Sequence, residues 1–166
     1  MRVSSGIVLL IALASVGCGG PTVDLTRNLQ VDIVGTGWYD EGIVNGQNKL
    51  VPAIGVRLKN NSDQKLPVLQ LNALFRQVNA KEEWGSRFLP AAGSEGLPPG
   101  APSGLLWLRS QNGYTGSGET RLEMLQNSHF VDAKVELFGK YGSTQWVKLG
   151  EYPIERKLLE KTPERS

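Results

Sequence analysis

The sequence predicts an all-β fold, an immunoglobulin-like antiparallel β-sandwich of about seven strands with one short helix and an N-terminal signal segment. Apolar and polar residues alternate with a period of two over much of the chain after residue 28, as in strands with one buried face. Clusters of Gly, Asn, Asp and Ser separate these runs where tight turns require them. A length of 166 residues fits a single domain, since domains usually have about 100 to 200 residues.

Seven apolar runs are the expected strands. Residues 105–109 are almost continuously apolar and predict an inner strand, and Pro153 places the last strand at an edge or ends it there because proline cannot donate to a ladder. A short helix is expected at 119–126, where Leu122 and Leu125 lie three positions apart, and it should cross from one sheet to the other. The predicted strands are 29–33, 54–58, 69–75, 84–88, 105–109, 133–137 and 146–154.

The alternation also predicts which side chains face inward. Trp146 lies within a predicted strand and is expected in the core. The other expected core residues are Val56, Leu58, Leu71, Phe75, Trp107, Val135 and Leu137. The intervening polar residues should form a solvated sheet surface, namely Arg57, Gln70, Asn72, Lys134 and Glu136.

The N-terminus has the form of an export signal. Arg2 precedes an apolar run at 7–16, which is shorter than the roughly 20 residues that span a bilayer and is typical of a signal peptide. The run ends at Gly17 and Cys18, the only cysteine of the chain. A secretory signal with an incidental cysteine and an uncleaved anchor are the alternatives.

This N-terminus resembles the lipobox of bacterial lipoproteins. The resemblance implies cleavage before Cys18, a diacylglycerol on its thiol and acylation of the new amine. Gly19 stands where Asp would suggest retention in the inner membrane, so the resemblance favours the outer membrane. The expected organisation is a signal peptide at 1–17, a lipid-anchored linker at 18–27, a sandwich domain at 28–158 and a frayed tail at 159–166.

The middle of the chain resembles the FxLYD-type domains of bacterial surface proteins and lipoproteins. The resemblance begins with the run 56–75, in which an Asn/Ser turn at 60–63 joins two strands and Phe75 closes the second. A Leu-Pro-Pro-Gly turn at 97–100 follows. The resemblance implies an immunoglobulin-like fold and carries little information about function.

Composition excludes several classes of function. The net charge of +2 is too small to predict a nucleic-acid partner, and one cysteine rules out an intramolecular disulfide. His129 is the only histidine and has no GxSxG motif beside it, so a surface histidine is expected rather than a catalytic triad. Asp40, Glu41, Asn45 and Asn48 carry side-chain oxygens that could bind calcium. They lack the regular spacing of acidic residues found in calcium-binding loops. No metal or cofactor is expected.

Three aromatic residues are the candidate binding residues. Trp38 and Tyr39 follow Gly37, and Tyr114 follows an Asn-Gly turn, so all three are expected in loops. Aromatic side chains presented from loops often contact protein or sugar partners. The alternative is that each one folds back and caps the core.

These features predict a membrane-tethered, non-enzymatic module that faces the periplasm and binds an envelope protein or a glycan. Its contact with the membrane is the lipid on Cys18, at the periplasmic face of the outer membrane. The alternative is a small glycan-acting envelope enzyme or ligand carrier that uses Asp40, Glu41 and the neighbouring aromatics. That alternative requires these side chains to line one concave pocket.

Overall fold

The computed structural model describes residues 21–160, which form two antiparallel sheets and two short helices. This confirms the predicted all-β sandwich. The first sheet contains β1 (Leu29–Val44), β2 (Gln47–Asn60), β5 (Leu106–Arg109) and β6 (Tyr114–Gly116). The second contains β3 (Gln70–Gln77), β4 (Gly85–Pro90), β7 (Ala133–Lys140) and β8 (Val147–Pro153). The helices are α1 (Leu25–Asn28) and α2 (Arg121–Gln126).

The strand order is that of an immunoglobulin-like sandwich. β1, β2 and β5 lie side by side like strands A, B and E, and the order β4-β3-β7-β8 matches C′-C-F-G. The chain passes from the first sheet to the second through α2, as predicted. A capping box of Thr120 and Glu123 fixes the start of this helix. Within the described residues, no helix is long and apolar enough to cross a membrane.

A long β1–β2 hairpin spans the sandwich and defines its two ends. Asn45 and Gly46 form the turn with φ angles of 51° and 78°, the left-handed conformation that a type I′ turn needs. The hairpin end contains this turn and α2, which is held there by an ion pair between Arg121 and Asp40. The N-terminal end contains Pro21 and the loops 61–69 and 141–146.

Six of the eight predicted core side chains are buried; Trp146, just before β8, is one exception, and Trp107 is the other. Its neighbours Leu106 and Leu108 pair with the buried residues Val56 and Ile54, so these leucines face inward and Trp107 faces outward. The indole lies over Gly55, where an added Cβ would come within 2.8 Å of the ring. The prediction of Trp107 as a core residue is therefore wrong.

Trp38 lies in β1 and is 0% exposed, so its predicted loop position is also wrong. Trp38 faces inward because of a register shift between Ile33 and Gly35. This shift leaves Val34 as an extra residue and reverses which side chains of the strand face the core. Odd-numbered residues such as Leu29 face the core before the shift, whereas even-numbered residues such as Trp38 face it afterwards.

The N-terminal segment packs against the sandwich from residue 23 onward. Val23 and Leu25 are buried, and the Val23 N–H donates to the Tyr141 hydroxyl at 2.6 Å. Part of the predicted linker at 18–27 therefore belongs to the folded body. Cys18 and the predicted signal peptide at 1–17 lie outside the described residues.

The C-terminal segment extends the first sheet. The Trp38 N–H donates to the Lys157 carbonyl at 2.8 Å, and the Leu159 N–H donates to the Trp38 carbonyl at 2.9 Å. The Leu159 side chain covers Gly37, where an added Cβ would meet it at 2.8 Å. Residue 159 therefore packs on the body, in contrast to the predicted frayed tail at 159–166, of which residues 161–166 lie outside the described range.

The two tryptophan positions predict different costs of truncation. Trp38→Ala should lower the free energy of unfolding by about 3 to 5 kcal/mol, because it leaves a large cavity in the core. Trp107→Ala should lower it by about 1 to 2 kcal/mol, because the Trp107 ring is only partly buried. Urea denaturation followed by circular dichroism measures both losses. Equal losses, or a larger loss for Trp107→Ala, would contradict the observed strand phases.

Candidate functional site

The three aromatic residues predicted to bind a partner do not form an exposed surface. Trp38 is in the core, with its ring centroid 4.5 Å from that of Phe130. Tyr39 lies in β1 beneath the Arg109 guanidinium, which is 3.5 Å from the centre of its ring. Tyr114 lies in β6 and packs against Phe130 with the ring centroids 4.8 Å apart. Trp38 and Tyr114 thus pack into the sandwich, in line with the alternative that they fold back onto the core, whereas Tyr39 lies under Arg109 on the outer face.

Asp40 and Glu41 do not converge on one pocket. The Asp40 carboxylate pairs with Arg121 at 3.1 Å. Glu41 is exposed and lines an open cleft of about 420 Å³ together with Trp107 and Arg109. Asp40 is not among the residues lining that cleft, so the arrangement expected of a glycan-acting site is not present at this position.

His129 lies in the loop that follows α2. Its side chain is exposed, and its backbone N–H donates to the Asn127 side-chain oxygen at 2.8 Å, as expected for a histidine in a loop. Among residues 21–160, no three His, Cys, Asp or Glu side chains are placed to hold a metal ion.

Exposed aromatic side chains lie instead on the outer face of the second sheet. Leu71 and Leu137 face the core, so the even-numbered residues of β3 and β7 face outward. Asn72 of β3 pairs with Phe88 of β4 on one side and with Phe138 of β7 on the other. Directly paired residues share a face, which places both phenylalanines on the outer surface.

Trp146 completes this aromatic surface. It directly precedes β8, and its ring centroid lies 6.3 Å from that of Phe88 at an interplanar angle of 81°. β4 and β8 are at opposite edges of the sheet, with three strand spacings of about 4.8 Å between them, so the two rings lean toward each other across the face. Phe88 is 51% exposed and Trp146 is 39% exposed. We call Phe88, Phe138 and Trp146 the aromatic strip.

The aromatic strip contradicts the prediction that Trp146 is a core residue. The inward residues near the start of β8 are Val147 and Leu149, which pack against the core, and Trp146 has the opposite phase. A lysine accompanies the exposed ring, because the Lys140 ammonium lies 5.3 Å from the Trp146 ring centre in a cation–π contact. The surface therefore combines aromatic rings with one positive charge.

The same face is charged toward the hairpin end. Glu136 accepts hydrogen bonds from Arg76 at 2.9 Å and Lys148 at 2.8 Å. Glu151 accepts from Lys148 at 2.9 Å and Lys134 at 3.0 Å. These partly exposed pairs fit the predicted solvated sheet surface at Lys134 and Glu136. The outer face thus changes from aromatic at the N-terminal end to ionic at the hairpin end.

A second exposed apolar surface lies at the hairpin end. Ile43, close to the hairpin turn, is 71% exposed, and Leu122 of α2 is 60% exposed. Val44 is also exposed. The ion pair between Asp40 and Arg121 holds the start of α2 beside the hairpin. We call Ile43, Val44 and Leu122 the hairpin-end surface, and sequence patterns missed it because the β1–β2 hairpin extends through the predicted loop.

Comparison with known proteins gives little information about the function of this chain. No protein-family model matches the chain, and no curated protein matches it. A solved X-ray structure of Northeast Structural Genomics Consortium target SoR45 is 11% identical, with a TM-score of 0.43, and the match covers 85% of this chain and 92% of that one. The function is therefore inferred from the residues of this chain.

The ion pairs of the second sheet predict an acid-sensitive contribution to stability. Hydrogen bonds from Lys148 and Arg76 lower the pKa of Glu136 from 4.5 to about 2. A lowered pKa stabilises the fold above the unfolded-state value, and this contribution is lost as the pH falls from about 4.5 to about 2. Glu136→Gln should therefore reduce the acid-induced fall in the urea midpoint over this range. An unchanged pH dependence would contradict the role of Glu136.

Proposed function

We propose that the protein is a lipid-anchored, non-enzymatic module of the bacterial cell envelope that faces the periplasm and binds a partner through its hairpin-end surface. This proposal rests on one observation, which is that the two ends of the sandwich differ. The segment that leads to Cys18 leaves the body at one end, and the two most exposed aliphatic side chains, Ile43 and Leu122, lie at the opposite end.

The anchor is supported by the position of Pro21. Its carbonyl accepts a hydrogen bond from the Gln64 side chain at 3.1 Å, so the described chain starts on the body itself. Cys18 lies three residues earlier, and three residues extend by at most roughly 11 Å. Two or three acyl chains on Cys18 would hold the protein stably at a membrane, whereas one would do so marginally. The lipobox resemblance and Gly19 favour the outer membrane.

The partner site is supported by its distance from this anchor. β2 spans 14 residues between the two ends, which is roughly 46 Å at about 3.3 Å per residue. A large partner in the periplasm can therefore reach Ile43 and Leu122 without contacting the membrane. Exposed apolar side chains such as these suit a protein partner, since exposed apolar patches often mark interaction sites. A glycan is the other partner class compatible with the sequence.

The anchor predicts the behaviour of Cys18→Ser. This variant should keep its signal peptide and incorporate no palmitate analogue, because the thiol that receives the lipid is absent. Metabolic labelling and the apparent mass in membrane fractions measure both effects, with Thr22→Ala as the matched control that should be labelled normally. Normal labelling and cleavage of Cys18→Ser would disprove the lipid anchor.

The partner site predicts the effect of charges at the hairpin end. Ile43→Asp combined with Leu122→Asp should weaken capture of an envelope partner by at least about tenfold, the loss expected when an interface hot spot is disrupted. The lipidated full chain serves as bait, and circular dichroism checks its fold. Leu105→Asp, at another exposed leucine, is the control and should retain capture. Unchanged capture by the folded double variant would exclude this surface.

A further inference from the structure

We infer that the aromatic strip docks onto the surface of the phospholipid membrane that carries the lipid anchor. The N-terminal half of the second sheet then lies against the headgroups, while the hairpin end points toward the periplasm. This inference rests on the proposed anchor at Cys18 and adds an oriented contact to it. It concerns a surface separate from the proposed partner site.

The strip lies beside the segment that leads to the anchor. Residues 22–25 and residues 143–145 line one cleft of about 480 Å³, which also includes Val147. The Val23 N–H donates to Tyr141 at 2.6 Å across it. Trp146 follows directly after this stretch, so the path toward Cys18 leaves the body next to one end of the aromatic strip.

The short reach of the anchor favours a lipid surface over a large partner at this position. A lipid on Cys18 keeps Pro21 within roughly 11 Å of the membrane, given three intervening peptide steps. A folded domain of 100 residues has a radius of gyration of about 13 Å and would not fit in that space. The headgroup region on each side of a bilayer is itself about 5 to 8 Å thick, so side chains at the N-terminal end can contact it.

The chemistry of the strip is that of a membrane interface. Tryptophan is enriched at the headgroup level because its ring is apolar and its N–H is polar, and Phe88 adds a second half-exposed ring. The Lys140 ammonium beside Trp146 can attract anionic phosphate groups. The ionic network around Glu136 lies farther along the strands toward the hairpin end, where it would stay in water.

Val68 adds an exposed apolar side chain at the same end. It is 40% exposed and has a φ of 49°, a left-handed conformation that is rare for a β-branched residue. Its N–H donates to the Gly93 carbonyl at 2.8 Å, and the preceding Pro67 carbonyl accepts from Gly142 at 2.9 Å. Val68 therefore lies next to the loop that carries Trp146, and strain of this kind is often found at functional positions.

Tryptophan quenching tests the docking directly. The processed full-length protein is inserted through its own lipid into vesicles of phosphatidylcholine and phosphatidylglycerol whose acyl chains carry bromine near the headgroup. We expect bromine to quench a component of the emission that disappears in Trp146→Phe and persists in Trp107→Phe, the matched control on the other sheet. Phe88→Asp should reduce the quenching, whereas Leu122→Asp at the hairpin end should leave it unchanged.

Mass spectrometry of the same preparation separates the docking from the anchor. Acylated protein whose emission is not quenched, or is quenched equally in Trp146→Phe, would overturn the docking alone. Loss of envelope-protein capture by Phe88→Asp without any lipid quenching would also overturn it and assign the strip to a protein partner. A Cys18 without acyl chains would overturn the anchor and the docking together.

Discussion

The extra residue at Val34 in β1 is the constraint on which the rest of the sandwich depends. The register shift at this position reverses which side chains of the strand face the core, so Trp38 enters the interior and Tyr39 faces outward. Trp38 then packs edge-on against Phe130 and Trp84, which join the long hairpin to the second sheet and to the connection after α2. Without the shift, the largest core side chain would lie on the surface, because a one-residue change of phase turns the whole set around.

The inward and outward orientation of these side chains also determines which residues are exposed to other molecules. Two outward positions of the first sheet are covered from within the chain, since Arg109 lies over Tyr39 and Leu159 lies over Gly37. Exposed apolar side chains are present at the hairpin end and on the outer face of the second sheet, and also at Ile33, Val34 and Leu105. On that face the aromatic rings are close to the N-terminal segment, and the ion pairs of Glu136 are farther away. The sandwich is thus chemically different at its two ends, which is the basis for proposing an anchored end and a binding end.

The sequence predicted the sandwich and most of its strands because inward alternation is a local signal, and the capping residues Thr120 and Glu123 likewise mark α2. It did not predict the site, because the inward phase of β1 beyond Val34 depends on a bulge that no local pattern reveals. Gly37 and Gly42 suggested a loop where β1 in fact continues, and this error placed Trp38 on the surface. Another register shift, between Leu137 and Phe138 of β7, lies where β7 pairs with β8, and Trp146 just before β8 was wrongly assigned to the core.

Hydrogen exchange of the tryptophan indole N–H groups is the most direct measurement of these phases. The Trp38 indole nitrogen is completely buried, so its proton should exchange only through global opening of the domain, whereas the half-exposed Trp146 should exchange far faster. Nitrogen-15 NMR, with each resonance assigned by a single Trp→Phe variant, distinguishes the two groups. Slow exchange at Trp38 with fast exchange at Trp146 is the result that this structure predicts. Fast exchange at Trp38 together with protection of Trp146 would contradict it.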